Sequence, residues 1–324
     1  MTGGMVPVYR LSKKRVKYMN HSDQYYSNYK KRLIKNDLTA YAFLSPWIIG
    51  FILFSGFPIL YSLFISFTDW SLLGSKNFIF LDNYISLFQS KSFWNSLYVT
   101  LLFSILSVII TIIWSFSLAL LLNLELKFNS FFQFIYFIPA VVPTVALAFA
   151  FQLMFNKDSG IVNYLLGVVG FNASPNWLYD PKLVYPTVFF IALFTYSTGQ
   201  MLLIFKSGLK EVPSELYEAC EIDGANTIQK FFYVTLPAMS PVILFNMVMA
   251  TIAALNNSFS LLYPLTGGGP NEATNVLSLE IYNQTFKNFQ IGYGSALSVI
   301  LFLIAAVLAA IQFKLSNKWV HYDS

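Results

Sequence analysis

Thr144 and Gln152, then Thr195-Tyr196-Ser197-Thr198 with Gln200, then Asn256-Asn257-Ser258, are neutral polar side chains set inside long apolar stretches. Those stretches contain no Asp, Glu, Lys, Arg or His. Amides and hydroxyls supply donors and acceptors together, which suits the recognition of an uncharged, hydroxyl-rich molecule. They also serve as hydrogen-bonded glue between helices in a bilayer. For Thr195 and Thr198 the glue reading is preferred. Ser197 and Gln200, three apart on one helix face, admit either reading. The Asn256–Ser258 cluster is costlier to bury and points to a cargo. Asn256 and Asn257 are 100° apart on a helix, so one is expected to face a cavity and the other a neighbouring helix.

Catalytic chemistry finds no constellation here. The two histidines, His21 and His321, lie near the ends of the chain, and the single cysteine, Cys220, excludes internal disulfides and Cys-based metal sites. No G-x-x-x-x-G-K-[ST] occurs, so this chain is not expected to hold ATP in a P-loop. No cofactor and no metal are expected in the chain itself.

The elements that must position the polar residues are membrane spans. The chain has 324 residues, 56% hydrophobic and only 11% charged, with a mean hydropathy of +0.59. Soluble proteins carry about 25% charged residues. Six spans are predicted, at 43–67, 97–122, 131–155, 184–205, 241–263 and 293–313, each near the ~20 residues a crossing needs. The expected fold is all-α, a polytopic membrane protein with six transmembrane helices. Residues 1–40 are basic and polar and do not read as a cleavable signal peptide. They form a cytoplasmic tail ahead of a transmembrane domain at 41–318, and residues 319–324 form a second cytoplasmic tail. With the N-terminus inside, cytoplasmic segments hold 15 of the 20 Lys and Arg. That bias sets the orientation and explains the net charge of +5 without nucleic acid.

One inner segment, 206–240, is too long and too polar for a simple connection. Within it, Pro213 to Pro237 reads as two short helices and a corner. Pro213 suits a helix entry and Ser214 an N-cap. Gly224 suits a left-handed corner. Asn226 with Gln229 forms a capping-box pair, and Ile228, Phe231 and Phe232 an apolar stripe. Leu236, preceding Pro237, is expected to leave the α region and close the unit.

This segment resembles the EAA motif of ABC importer permeases: Glu218-Ala219-Cys220, three residues, Gly224, nine residues, then Val234-Thr235-Leu236-Pro237. The extended pattern from Leu216 through Asp223, Gly224 and Ala225 resembles the maltose-type sugar permeases, with Cys220 in place of Ala and Val234 in place of Ile. Ser66-Phe67-Thr68-Asp69-Trp70, the stretch Phe78–Tyr84 (with Phe80 where Gly is usual), Pro139 with Pro143, and Leu265–Pro270 are similar to further landmarks of that family.

The resemblance implies a non-catalytic permease subunit of an ABC importer for a sugar, an oligosaccharide or disaccharide, in the cell membrane. It implies a heterodimer with a second homologous permease subunit, two ABC ATPase subunits that bind ATP and Mg, and an extracytoplasmic solute-binding protein. It implies ATPase coupling through Glu218, Ala219, Cys220, Asp223, Gly224, Leu236 and Pro237. It places cargo about mid-membrane, against Thr144, Tyr196, Ser197, Gln200, Asn256, Asn257 and Ser258. The rival readings are an ion-coupled sugar transporter or facilitator and an importer of glycerol phosphate. The absence of ionisable groups in the spans weighs against both.

The topology has a direct test. With Cys220 replaced by Ser, cysteines placed at Asn172 and Asn271 are expected to label from outside the cell. Labelling of either only from the cytosolic side would overturn the orientation.

Overall fold

The structure, a computed structural model, describes residues 39, 41–71, 74, 76–124, 129–171 and 173–321, with Tyr196 and Ser197 described by backbone alone. The basic tail and residues 322–324 lie outside the described residues. The chain divides into two units, at Ser62/Leu63.

The first unit holds most of α1, Tyr41–Ile65. This helix widens to a π turn at Ile52–Gly56, where the Phe57 N–H bonds to the Ile52 carbonyl. Pro58 follows directly. A proline has no N–H and its ring crowds the carbonyl one turn back, so a locally wider helix accommodates it.

The second unit runs α2 (Asp82–Gln89), α3 (Lys91–Asn123), α4 (Asn129–Val141), α5 (Thr144–Met154), α6 (Ile161–Val168), α7 (Val184–Ala192), α8 (Tyr196–Glu211), α9 (Ser214–Ile222), α10 (Thr227–Lys230), α11 (Leu236–Ala238), α12 (Ser240–Thr266), α13 (Leu277–Tyr282) and α14 (Ile291–Ser316). Among the described residues the pairing of extended chain is confined to two isolated bridges.

Six continuous spans are not what forms. Among the described residues four helices are long and apolar enough to cross a membrane: α1, α3, α12 and α14. The stretch predicted at 131–155 is α4 and α5, bent by 103°. Pro143 causes the bend: its extended backbone (ψ 132°) begins α5 afresh. The stretch predicted at 184–205 is α7 and α8. The N–H groups of Leu193, Phe194 and Thr195 bond back only three residues, to Phe190, Ile191 and Ala192. Thr195 then swings to ψ 166° before α8 begins. The Thr195 and Thr198 hydroxyls both donate to the Ala192 carbonyl, at 2.8 and 3.2 Å, and cover that acceptor at the break.

Helix α3 is the axis of the second unit. Its N-terminal half packs Val99 and Phe103 with α5, α7 and α12, and its C-terminal half packs Val108, Phe116 and Ala119 with Met201, Leu202 and Phe205 of α8. One side carries a buried row, Ser96, Thr100, Ser104, Ser107, Thr111 and Ser115. Small side chains let neighbouring backbones approach closely. The row also serves the irregular segments. The Leu277 N–H donates to the Thr100 hydroxyl at 2.7 Å, Asn275 donates to Ser96 Oγ at 3.3 Å, and Ser115 donates to the Thr198 carbonyl at 3.3 Å.

Two of the sequence landmarks clasp one another. Asn83, buried, donates from Nδ2 to the carbonyls of Ser66 and Thr68, both at 2.8 Å, and Tyr84 pairs with the Ser66 hydroxyl at 2.7 Å. Asp69 accepts from the backbone and side chain of Asn77, and those bonds hold its carboxyl below the usual carboxylate range. Phe80, where Gly is usual, keeps the left-handed backbone, with φ 53°.

Gly199 positions α8 against α4. A methyl there would lie 2.3 Å from Ala140 Cβ. Gly199→Ala is expected to lower the yield and melting temperature of the folded protein. Adding Ala140→Gly removes the clashing atom and is expected to restore much of both, which thermal melts in detergent would measure.

Candidate functional site

Two regions gather the predicted residues. The first is the corner unit. Helix α9 starts from Pro213 as its N-cap, with Ser214 as its first helical residue and no side-chain cap bond, so the predicted Ser214 cap does not form. Its end is a Schellman arrangement: Gly224 N–H bonds to Glu221 O and Ala225 N–H to Cys220 O. Gly224 has φ +74°, and nothing lies within 4 Å of where its Cβ would be. Glycine is required there by backbone angle alone. Asn226 and Gln229 form the capping box of α10, with bonds of 2.8 and 2.9 Å.

Past α10 the prediction fails. Leu236 stays helical (φ −66°, ψ −44°), and the chain passes through Pro237 without a break. The reason is again a π turn, Phe231–Thr235, with the Leu236 N–H reaching Phe231 O. It widens the helix ahead of Pro237, as the π turn of α1 does ahead of Pro58. Of the expected apolar stripe only Phe231 turns inward, its ring 6.1 Å from that of Phe116, while Ile228 and Phe232 are exposed.

Two ties within this unit were not expected from sequence. Tyr217 Oη pairs with Thr235 Oγ1 at 3.0 Å, and Lys230 forms an ion pair with Glu221. These hold α9 against the segment beyond the corner. Glu218, Ala219 and Asp223 are exposed, and Cys220 is half-buried. Glu218 has no hydrogen bond or ion pair among the described residues. Ile222, one turn beyond Glu218 on the same face, is 87% exposed, while Leu216, on another face, is 46% exposed. A carboxylate next to a bare aliphatic side chain suits contact with another protein.

The second region is a pair of cavities among α3, α5, α8 and α12. One, about 60 Å³, is lined by Thr144, Asn257 and Ser258 together with Ser107, Thr111 and Thr195. The other, about 200 Å³, is lined by Gln200, Asn256 and Asn257 together with Asn246. Asn257 borders both. Contrary to the expectation that one would face a neighbouring helix, Asn256 and Asn257 both line the larger cavity. Gln200, Asn256 and Asn257 have no side-chain hydrogen bond among the described residues. Ser258 also donates to Leu255 O at 3.1 Å and pairs with Ser278 at 3.0 Å, so its hydroxyl ties α12 to α13 while it borders the smaller cavity. The side chains of Tyr196 and Ser197 lie outside the described residues. Gln152 faces a separate cleft with Asn156 and Asp158. Ser107, Thr111 and Asn246 went unrecognised in the sequence: each is a lone polar residue within its apolar turn, and only packing brings it to a cavity.

A family model described as the binding-protein-dependent transport system inner membrane component matches residues 111–321. The chain belongs to this family. The match covers the corner unit and every residue named at the cavities except Ser107. Among curated relatives, the "Probable ABC transporter permease protein YesP" of Bacillus subtilis is 36% identical over 300 residues, 91% of this chain and 96% of that one. The trehalose/maltose transport system permease protein MalF of Thermococcus litoralis is 34% identical over 86% of this chain and 93% of its own. A crystal structure of a bacterial alginate ABC transporter, in complex with its alginate pentasaccharide-bound periplasmic protein, has a chain of the same fold. Its TM-score is 0.78 at 23% identity, covering 89% of this chain and 96% of that one. The protein is thus a multi-pass inner-membrane permease, and its relatives are named as transport components rather than enzymes.

The permease's corner tests separately. With Cys220 replaced by Ser and spin labels at Glu218 and Gln229, the wild-type corner is expected to give one narrow distance distribution. Gly224→Val places a β-branched residue at φ +74°, a genuine backbone outlier. It is expected to broaden or shift that distribution while membrane insertion persists. An unchanged distribution would show that the corner does not need glycine.

Proposed function

We propose that this permease imports a neutral oligosaccharide or disaccharide by alternating access, as one of two membrane subunits enclosing the path. The observation that carries the cargo assignment is the larger cavity, where the amides of Gln200, Asn256 and Asn257 stand without partners and no charged side chain lines the wall. A sugar hydroxyl needs a donor and an acceptor at each contact, which an amide supplies, while Met249 and Ile252 offer apolar surface to a ring face. An anion such as glycerol phosphate would enter with no cation to meet it, at a steep desolvation cost. Kinship to the trehalose/maltose permease supports the same class.

The cavities measure about 60 and 200 Å³, against roughly 300–1,000 Å³ for ordinary small-molecule sites. Asn256 and Asn257 are also exposed. A half-site is the natural reading, completed by a second, homologous permease subunit. In this reading the chain crosses the membrane six times, through α1, α3, the pair α4–α5, the pair α7–α8, α12 and α14, with both termini in the cytoplasm. The corner unit then faces the cytoplasm, where Glu218 and the bare Leu216 and Ile222 meet an ATPase subunit. ATP and Mg are held by two such subunits and by nothing in this chain. Their closure moves α9, and through the Tyr217–Thr235 tie, α12. A solute-binding protein delivers cargo from outside.

The two broken spans favour one other reading, an ion-coupled transporter, since such carriers bind ions at unwound helices. In proteoliposomes holding the whole assembly, saccharide-loaded binding protein is expected to stimulate ATP hydrolysis and uptake, and glycerol phosphate is not. Uptake driven by an ion gradient without the ATPases would establish the ion-coupled reading. Asn257→Ala and Gln200→Ala are each expected to weaken saccharide handling by roughly 0.5–1.5 kcal/mol, a several-fold loss, with normal yield of the complex. Unchanged uptake in both would remove the cavity assignment.

A further inference from the structure

Asn246 is the most anomalous polar group in the described chain. It lies in the first half of α12, nearer the corner unit than the predicted cargo residues. The residue is fully buried, at 0% exposure, and neither its Oδ1 nor its Nδ2 has a hydrogen-bond partner among the described residues. Buried Ser104 and Ser107 hydroxyls are also unpartnered, but a serine can rotate to the carbonyl one turn back, as Thr111 does to Ser107 at 2.6 Å. A carbonyl one turn back could take at most one donor of an amide, and would leave its second donor and its acceptor oxygen unpaired. Natural interiors leave few such groups unpaired without a functional reason.

The position of Asn246 supplies that reason. It lines the cavity of about 200 Å³ that also holds Gln200, Asn256 and Asn257. Asn246, Met249, Ala253 and Asn257 follow one another on a single face of α12, at the three- and four-residue steps of a helical stripe. Asn246 stands about 16 Å along the axis from Asn257, at ~1.5 Å per residue. Between them the wall is apolar, formed by Met249, Ile252 and Ala253. The arrangement is two polar stations separated by a greasy step.

We propose that Asn246 is a second, inner sugar-binding station, whose amide takes hydroxyls of the saccharide after it leaves Asn256 and Asn257 and before it enters the cytoplasm. This rests on the saccharide reading given above. In the conformation described here the station is closed, so its amide waits unpaired. A hydroxyl-rich cargo several sugar units long would hold both stations at once, and a shorter one would occupy them in turn. Such a station lowers the barrier for moving a strongly hydrated solute past an apolar constriction. It must also bind weakly enough to release.

The test uses the whole reconstituted importer. Asn246→Leu keeps the approximate volume and removes the amide. At saturating saccharide-loaded binding protein, uptake is expected to fall roughly two- to tenfold, the range of one or two neutral hydrogen bonds. ATP hydrolysis is expected to persist, so less sugar moves per ATP. Yield and melting temperature of the complex are expected to match or exceed wild type, because an unpaired buried amide has been replaced by a hydrocarbon. Asn246→Ser, which keeps a hydrogen-bonding group, is expected to recover part of the uptake. Wild-type uptake in Asn246→Leu would overturn the inference. So would a joint fall of yield and uptake in both variants, which marks a structural amide. A wild-type importer that takes up no saccharide from a panel of neutral di- and oligosaccharides would instead overturn the saccharide reading, and the inner station with it.

Discussion

Backbone that leaves a helix inside an apolar environment must find its hydrogen bonds locally, because neither lipid nor hydrocarbon side chains supply them. This permease meets that demand with one straight helix. Helix α3 is unbroken over 33 residues, and its buried hydroxyl row reaches the irregular segments around it. Thr100 accepts from the backbone at Leu277, Ser96 from the side chain of Asn275, and Ser115 bonds the carbonyl of Thr198 beside the α7–α8 break. The broken helices are tolerable because α3 is not broken. The small size of the same residues brings α8 and the chain entering α13 close enough for those bonds to form.

The breaks create the cavity region. A continuous helix through 184–205 would fill its own turns and present Gln200 at one fixed angle to its neighbours. Stopping at Ala192 and restarting at Tyr196 instead leaves Thr195 lining one cavity and Gln200 the other. Asn257 joins the two. Among the described residues their walls carry amides and hydroxyls but no charged side chain, and a charged solute there would be buried without a counter-ion.

Two prolines illustrate a second economy of this fold. Pro58 and Pro237 each follow a five-residue π turn, Ile52–Gly56 and Phe231–Thr235. A wider turn gives the pyrrolidine ring room and costs one hydrogen-bond register rather than a chain break. At Pro237 the consequence is continuity. The chain stays helical through Pro237 into α11, and a single turn residue, Met239, separates α11 from α12, the helix that bears Asn246, Asn256 and Asn257.

The sequence by itself determined the class of the protein, the apolar stretches, the corner at Gly224, the capping box of α10 and most residues at the cavities. These are local matters: composition, a positive φ that only glycine meets cheaply, and a side chain that caps its own helix. Tertiary structure decided the rest. Both 131–155 and 184–205 are apolar enough to read as straight spans, and whether the chain restarts at Pro143 or at Thr195 is decided by how each half packs and, at Thr198, by a bond from Ser115, 83 residues away in sequence. Whether Leu236 ends a helix depends on the width of the turn before it, which the proline rule alone does not describe. Ser258 and Asn257 are adjacent and chemically alike to a reader of sequence. Both border the smaller cavity, but Ser258 is buried and bonded to Leu255 and Ser278 while Asn257 is exposed and has no side-chain bond among the described residues, a difference that only packing makes. Asn246 was invisible for the same reason: a single amide in an apolar run becomes informative only when the fold buries it and leaves it unpaired.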